Sequence, residues 1–209
     1  EQQRRWYARY EAERENIRAA LGWAIKRQDK QQGVRLIASL WFYWFWRGHW
    51  AEGTQSARAV FALPGDADPL WYSRALVGVS SLPGRMGDFA TFGEWLRQGQ
   101  AISEALDDTA TLAWARISGS YLEPDPAAAV AMNEEALRLA RLAGDHWNAG
   151  NILYNLGDRF RGAGDMVRAE LLYRESVLAF RSSGDQDIIA FPIGNLGRIA
   201  FARGDDAAA

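Results

Sequence analysis

Apolar residues recur along this chain with the three-and-four spacing of amphipathic helices. In 166–183 the set Ala169, Leu172, Tyr173, Val177 and Phe180 falls on one helical face. In 127–143 the set Ala129, Met132, Ala136, Leu139 and Ala143 does the same. Such a helix is marginal alone and needs a partner to cover its stripe. The pattern predicts helices near 3–27, 30–47, 49–62, 69–82, 89–106, 108–122, 126–143, 145–162, 166–183 and 186–203. No segment keeps a period-two alternation, so no sheet is expected.

The breaks between these stripes are regular. Gly-Asp occurs at Gly144-Asp145, Gly164-Asp165, Gly184-Asp185 and Gly204-Asp205, 20 residues apart. Glycine is favoured just past a helix end, where the backbone turns left-handed. Aspartate is favoured as the next N-cap, where its carboxylate accepts from free backbone N–H groups. Each pair therefore reads as the stop of one helix and the start of the next. Gln28-Asp29, Gly48-His49, Pro64-Gly65-Asp66, Gly87-Asp88, Asp107-Asp108 and Asp125-Pro126 extend the rhythm toward the N-terminus. Two such helices make a repeat of about 40 residues, within the range of helical repeat proteins. The fold class is all-α, with about ten helices in antiparallel pairs. Residues 1–209 read as a single repeat domain, aromatic-rich over 1–66 and more regular over 67–209.

Asn155-Leu156-Gly157, Phe160, Gly164-Asp165, Ala169 and Tyr173 resemble the tetratricopeptide pattern, and Asn195-Leu196-Gly197 with Gly204-Asp205 repeats it 40 residues on. Ser176 stands where that pattern has a small alanine, and Arg181 where it has a late proline. The resemblance implies a right-handed superhelical solenoid whose concave groove takes a protein, a peptide or a small inducer. In such peptide binders the asparagine before Leu-Gly contacts bound peptide. The residues implied here are Asn155 and Asn195, with Asn151, Tyr154, Asp158 and Arg198 on neighbouring turns. A carboxamide suits that role because it donates and accepts at once.

A second resemblance lies in the N-terminal part. Glu13, Glu15-Asn16-Ile17-Arg18-Ala19-Ala20-Leu21, Trp23, Leu36, Leu40-Trp41, Trp44, Arg47-Gly48-His49 and Glu52-Gly53 are similar to the helical region after the nucleotide-binding core of bacterial STAND-type signalling ATPases. Many of these are LuxR-type or related transcriptional regulators. The resemblance implies a non-catalytic sensor or scaffold arm that couples inducer or partner binding to an attached ATPase core. The alternative is a stand-alone adaptor that binds a peptide or protein in its groove.

Composition narrows the chemistry. The 209 residues carry a formal net charge of -2, which gives no argument for a phosphate-backbone binder. There is no G-x-x-x-x-G-K-[ST] loop, since Gly162-Ala163-Gly164 leads into Asp165, and no helix-turn-helix with a basic recognition helix. ATP hydrolysis and direct nucleic-acid binding are therefore not expected of this chain itself. Cysteine is absent, which removes disulfides, thiolate metal sites and cysteine nucleophiles. His49 and His146 lack the companions that a zinc site needs. Ser80-Ser81 and Ser182-Ser183 lack a nucleophile elbow. Glu134-Glu135 precedes Arg138 and Arg141 at the spacing of surface ion pairs. No catalytic residue, metal or cofactor is expected.

The run Leu36–Trp46 is apolar but too short to span a membrane, which takes about 20 residues. It reads instead as a helix buried on nearly all sides, packed on the first helix through Trp23, Ala20 and Leu21. A cytoplasmic location is expected. The chain starts at Glu1 and ends at Asp205-Asp206-Ala207-Ala208-Ala209 as another helix begins, so a piece of a longer protein is expected.

Overall fold

A computed structural model describes residues 9–184 and 188–204. The described residues are helical, with no strand. The helices are α1 (Arg14–Lys26), α2 (Lys30–Arg47), α3 (Trp50–Phe61), α4 (Pro69–Gly84), α5 (Phe89–Ala105), α6 (Thr109–Ser120), α7 (Pro126–Leu142), α8 (His146–Gly162), α9 (Met166–Ser183) and α10 (Ala190–Ala202). A short helical stretch at 9–12 precedes α1, and backbone bonds into and out of Glu13 carry the chain across the junction. The rest of the helix expected at 3–27 lies outside the described residues.

The caps follow the local chemistry. Gly144, Gly164, Gly184 and Gly204 have φ of 66, 86, 77 and 76°, the left-handed turn that ends a helix. Asp145 and Asp165 then accept from the N–H groups of Asn148 and Arg168, each at 3.0 Å. Asp185 and Asp205 lie outside the described residues. Asp29 and Asp88 cap their helices in the same way, through Gln32 and Thr91.

Two compact units divide the chain, residues 1–118 and 119–209. The division falls inside α6. Within the first unit, α3 packs on α4, so contacts run across the composition change at 66/67.

Each unit is built from antiparallel hairpins closed by glycines. In the α8/α9 hairpin, a Cβ on Gly150 would stand 2.7 Å from the Phe180 ring, and one on Gly157 would stand 2.6 Å from the Tyr173 ring. Seven residues forward on one helix matches seven back on the other, which fixes the antiparallel register. The α4/α5 hairpin uses Gly84 under Phe92 and Gly99 under Val77. The α2/α3 hairpin uses Gly33 under Val60 and Gly53 under Trp44. A missing side chain on one helix admits a bulky one from the other, so close approach and dense packing coexist.

The first core gathers Leu21, Ile37, Leu40, Tyr43, Trp44, Val60, Leu76, Leu82 and Trp95. The second unit has a cluster of Ala169, Tyr173 and Ile199, flanked by Tyr154, Phe160 and Leu196. One packing expectation is corrected. Helix α1 meets the core through Leu21, with Ile17 and Ile25 beside it, and Ala24 is fully buried. Ala20 is exposed and Trp23 is 53% exposed, with Arg27 over its ring. Trp23 stands two residues beyond Leu21, about 200° around the helix, so both cannot face inward.

Candidate functional site

The structure brings four of the six residues singled out from the sequence into one cluster, built on α8, α9 and α10. Asp158 sits one turn from the end of α8. Its Oδ1 accepts from the Tyr173 hydroxyl at 2.6 Å and from Asn195 Nδ2 at 3.1 Å. Arg161 Nε donates to the same hydroxyl at 3.2 Å, and Arg161 also lies 3.6 Å from Asp158. One carboxylate thus joins three helices. Burial, followed by the bond to Asp158, pushes the Tyr173 hydroxyl well above the ordinary phenol range. Tyr173 therefore stays a neutral donor.

Asn195 is 5% exposed, and Arg198 stands 3.5 Å from its Oδ1. Tyr154 packs at 6.0 Å from Tyr173 and 6.2 Å from Phe191, measured between ring centroids. Burial, then the nearby Asp158 charge, raises its pKa. Asn195 and Tyr154 join helices to one another, whereas the Arg198 contact stays within α10.

Asn151 and Asn155 lie one turn apart on the same face of α8. Asn151 donates to the Trp147 carbonyl at 3.1 Å, on its own helix. Asn155 is half-buried and its carboxamide has no hydrogen bond among the described residues. The two asparagines of the repeat, each followed by Leu-Gly, thus differ in situation. Asn195 donates to Asp158, whereas no hydrogen bond engages the Asn155 carboxamide among the described residues. Sequence reasoning did not single out Arg161 for this cluster. Its signal was the three-residue spacing from Asp158, which makes an ion pair on one helical face.

A second chemical feature lies in the first unit. Tyr43 and Trp44 are buried, while Trp41, Phe42, Phe45 and Trp46 are only partly covered. The Trp41 ring lies over Gly78 of α4 and 4.9 Å from the Trp114 ring of α6. Helices α2, α4 and α6 are thereby joined along one aromatic seam. Arg85 stacks 4.9 Å from the Phe45 ring, and Arg35 lies 5.7 Å from the Trp71 ring.

The strongest charge cluster fastens α1 to α3. Glu52 receives Arg14 at 2.7 Å and Arg18 at 2.9 and 3.1 Å, the latter in a fork. The Arg18 bond, opposed by burial and helped by Arg14, lowers Glu52 to about 2. His49 stands just before α3 without a side-chain capping bond, and its Nε2 lies 3.3 Å from Glu11. Glu135 pairs with Arg138 at 2.6 Å, while Arg141 reaches across to Glu175 of α9 at 3.0 Å. Among the described residues, no group of three His, Asp or Glu is placed to hold a metal ion. No described helix is long and apolar enough to cross a membrane.

Comparison with known proteins gives a consistent picture. No family model matches the chain. Proteins named as HTH-type transcriptional regulators in Mycobacterium tuberculosis and Mycobacterium bovis are 26% identical over 181 residues, covering 79% of this chain. The chain spans 19% of the length of these relatives. Among solved structures, BtubC (BKLC) from P. vanneervenii superposes with a TM-score of 0.69 at 16% identity, over 93% of this chain and 86% of that one. That likeness shows the all-helical fold.

Proposed function

We propose that this chain is the non-catalytic sensing region of a bacterial transcriptional regulator of the STAND type. The observation that carries this reading is the similarity to transcriptional regulators across 79% of the chain, while the chain spans only 19% of their length. A helical module within a much larger regulator suits the detection of a signal, with the response made elsewhere. The glycine-closed hairpins support the tetratricopeptide character of the repeats. DNA contact and nucleotide hydrolysis belong, in this proposal, to other parts of the regulator. The setting is cytoplasmic.

The sensing face is that of α8 and α10. Asn155 offers an unused carboxamide there, one turn from Asn151 on α8 and next to Tyr154, whose ring packs 6.2 Å from Phe191 of α10, with Arg198 on the same α10. A protein, peptide or small inducer that binds one arrangement of this face more tightly than another shifts the attached core between its states.

The test is made on the full-length gene product. ATP turnover and promoter output are measured with the region intact and with Asn151→Ala, Asn155→Ala and Arg198→Ala combined. The expected result is an altered set-point at an unchanged melting temperature. Turnover and output equal to the wild type would remove this face from the reading. A gene product without a nucleotide-binding core would remove the sensor reading altogether.

A further inference from the structure

Helix α9 buries one side and leaves the other bare. Tyr173, Ser176 and Phe180 are buried, and each meets Gly150 or Gly157 of α8. Val167, Leu171, Arg174 and Leu178 follow at spacings of four, three and four, a line on the opposite side of the helix. Val167 is 66% exposed, and Leu171 and Leu178 are each 58% exposed. At 1.5 Å per residue the line is about 16 Å long. Exposed apolar side chains scattered singly are ordinary, but three aligned on one helix face mark a surface for contact.

Charged side chains border this line, and their order is self-complementary. Glu170 and Arg174 lie toward one flank, where Arg174 donates to Glu170 at 2.8 Å. Arg168 and Glu175 lie toward the other. Arg168 is exposed, its guanidinium 4.8 Å from the Phe160 ring, and no ion pair engages it among the described residues. A guanidinium stacked on a ring keeps its N–H edge for a carboxylate. Glu175 receives Arg141 at 3.0 Å, and a carboxylate has room for a second donor.

We propose that this face of α9 is an interface between two copies of the chain, packed antiparallel about a two-fold axis near residue 172. A two-fold interface uses the same patch twice, so each residue must suit the one equally far on the other side of the axis. Like flank then faces like flank. Glu170, two residues before the axis, meets the partner's Arg174, two after it. Arg168, four before, meets the partner's Glu175, three after. Val167, five before, meets the partner's Leu178, six after, and Leu171 lies against the partner's Leu171 beside the axis. Opposite charges and apolar side chains are thus matched at once, which is what singles out a second copy as the occupant. A parallel pair would instead set Arg174 against the partner's Arg174 within the apolar line. The surface needs no ligand at Asn155, and it goes beyond the sensing reading.

The test is made on the full chain by sedimentation equilibrium. A single helix pair stands at the small end of specific interfaces, so the wild type is expected to be a dimer at about 500 μM and a monomer at about 1 μM. Leu171→Glu remains a monomer throughout, at an unchanged melting temperature. Arg168→Glu or Glu175→Arg alone weakens association about tenfold, and the two in one chain restore it. The chain has no cysteine, so introduced thiols report the geometry. Under mild oxidation, chains with Leu171→Cys cross-link to one another, and chains with Val167→Cys cross-link to chains with Leu178→Cys. The proposal is overturned if the wild type is a monomer at about 500 μM, or if Leu171→Glu associates equally well. It is equally overturned if the double charge reversal fails to restore association. Chains with Leu178→Cys that cross-link to one another faster than to chains with Val167→Cys would show a parallel pair and overturn it too.

Discussion

Tyr173 of α9 fills the space that a side chain on Gly157 of α8 would occupy, with 2.6 Å between its ring and the position of a Cβ. The contact is closed further by the Tyr173 hydroxyl on Asp158. A methyl here has nowhere to go unless a fully buried ring moves. Gly157→Ala is expected to lower stability by about 1–3 kcal/mol, the usual cost of overpacking. Gly22 is the control, because it lies within α1 with nothing within 4 Å of its Cβ position. There the helix preference for alanine acts alone, and Gly22→Ala should raise stability by about 0.5–1 kcal/mol. Urea denaturation of the two variants checks the opposite signs. A stabilised Gly157→Ala protein would mean that the Tyr173 ring leaves room at Gly157.

Gln28 takes a backbone conformation that suits glycine better. Its φ is 57°, and it precedes the capping Asp29 just as Gly144 precedes Asp145. The side chain is exposed and lends nothing to a core. The left-handed conformation costs a residue with a Cβ about 1–2 kcal/mol, part of which glycine gives back through its freer unfolded chain. Gln28→Gly should therefore raise the melting temperature by a few degrees. A fall would show that Gln28 makes a contact its exposure does not suggest.

These turns were legible in the sequence because they depend on local chemistry. A glycine stop followed by an aspartate cap needs no knowledge of what packs nearby, and the breaks at 144, 164 and 184 fall where the letters place them. The inward face of α1 was not legible in the same way. Leu21 and Trp23 are both apolar, and only the position of α2 decides that Leu21 faces in. The two asparagines show the same limit at the candidate site. Asn155 and Asn195 share their flanking Leu-Gly, but a carboxylate on the adjacent helix meets only one of them.

Acid should loosen the junction of α1 and α3 at Glu52. The folded-state pKa is lowered to about 2 from an ordinary value of 4.5, chiefly by Arg18. A lowered carboxylate pKa stabilises the fold above the unfolded value, and that contribution fades as pH falls from about 4.5 through about 2. Solvent screens the pair, so the contribution is about 1 kcal/mol. Glu52→Gln should cost about that amount at pH 7 and remove part of the acid sensitivity below pH 4.5. Melting curves at pH 7 and pH 3 for both proteins separate the two effects. Equal acid sensitivity in both would place the lability at other carboxylates.

The paired asparagines distinguish a structural contact from a binding one. Asn195→Ala removes the donor to Asp158 and leaves that carboxylate with one bond fewer at a junction of three helices. Losing a hydrogen bond to a charged group costs about 1.5–3 kcal/mol, so this variant should melt measurably lower. Tyr173→Phe should behave alike, since it removes both the donor to Asp158 and the acceptor for Arg161. Asn155→Ala removes no hydrogen bond among the described residues, and its effect on stability should stay within about 0.5 kcal/mol. If Asn155 serves a bound molecule, its loss must appear in binding or in regulatory output and not in the melting curve. A large loss of stability in Asn155→Ala would instead assign that residue to packing, and the sensing face would have to rest on Asn151 and Arg198.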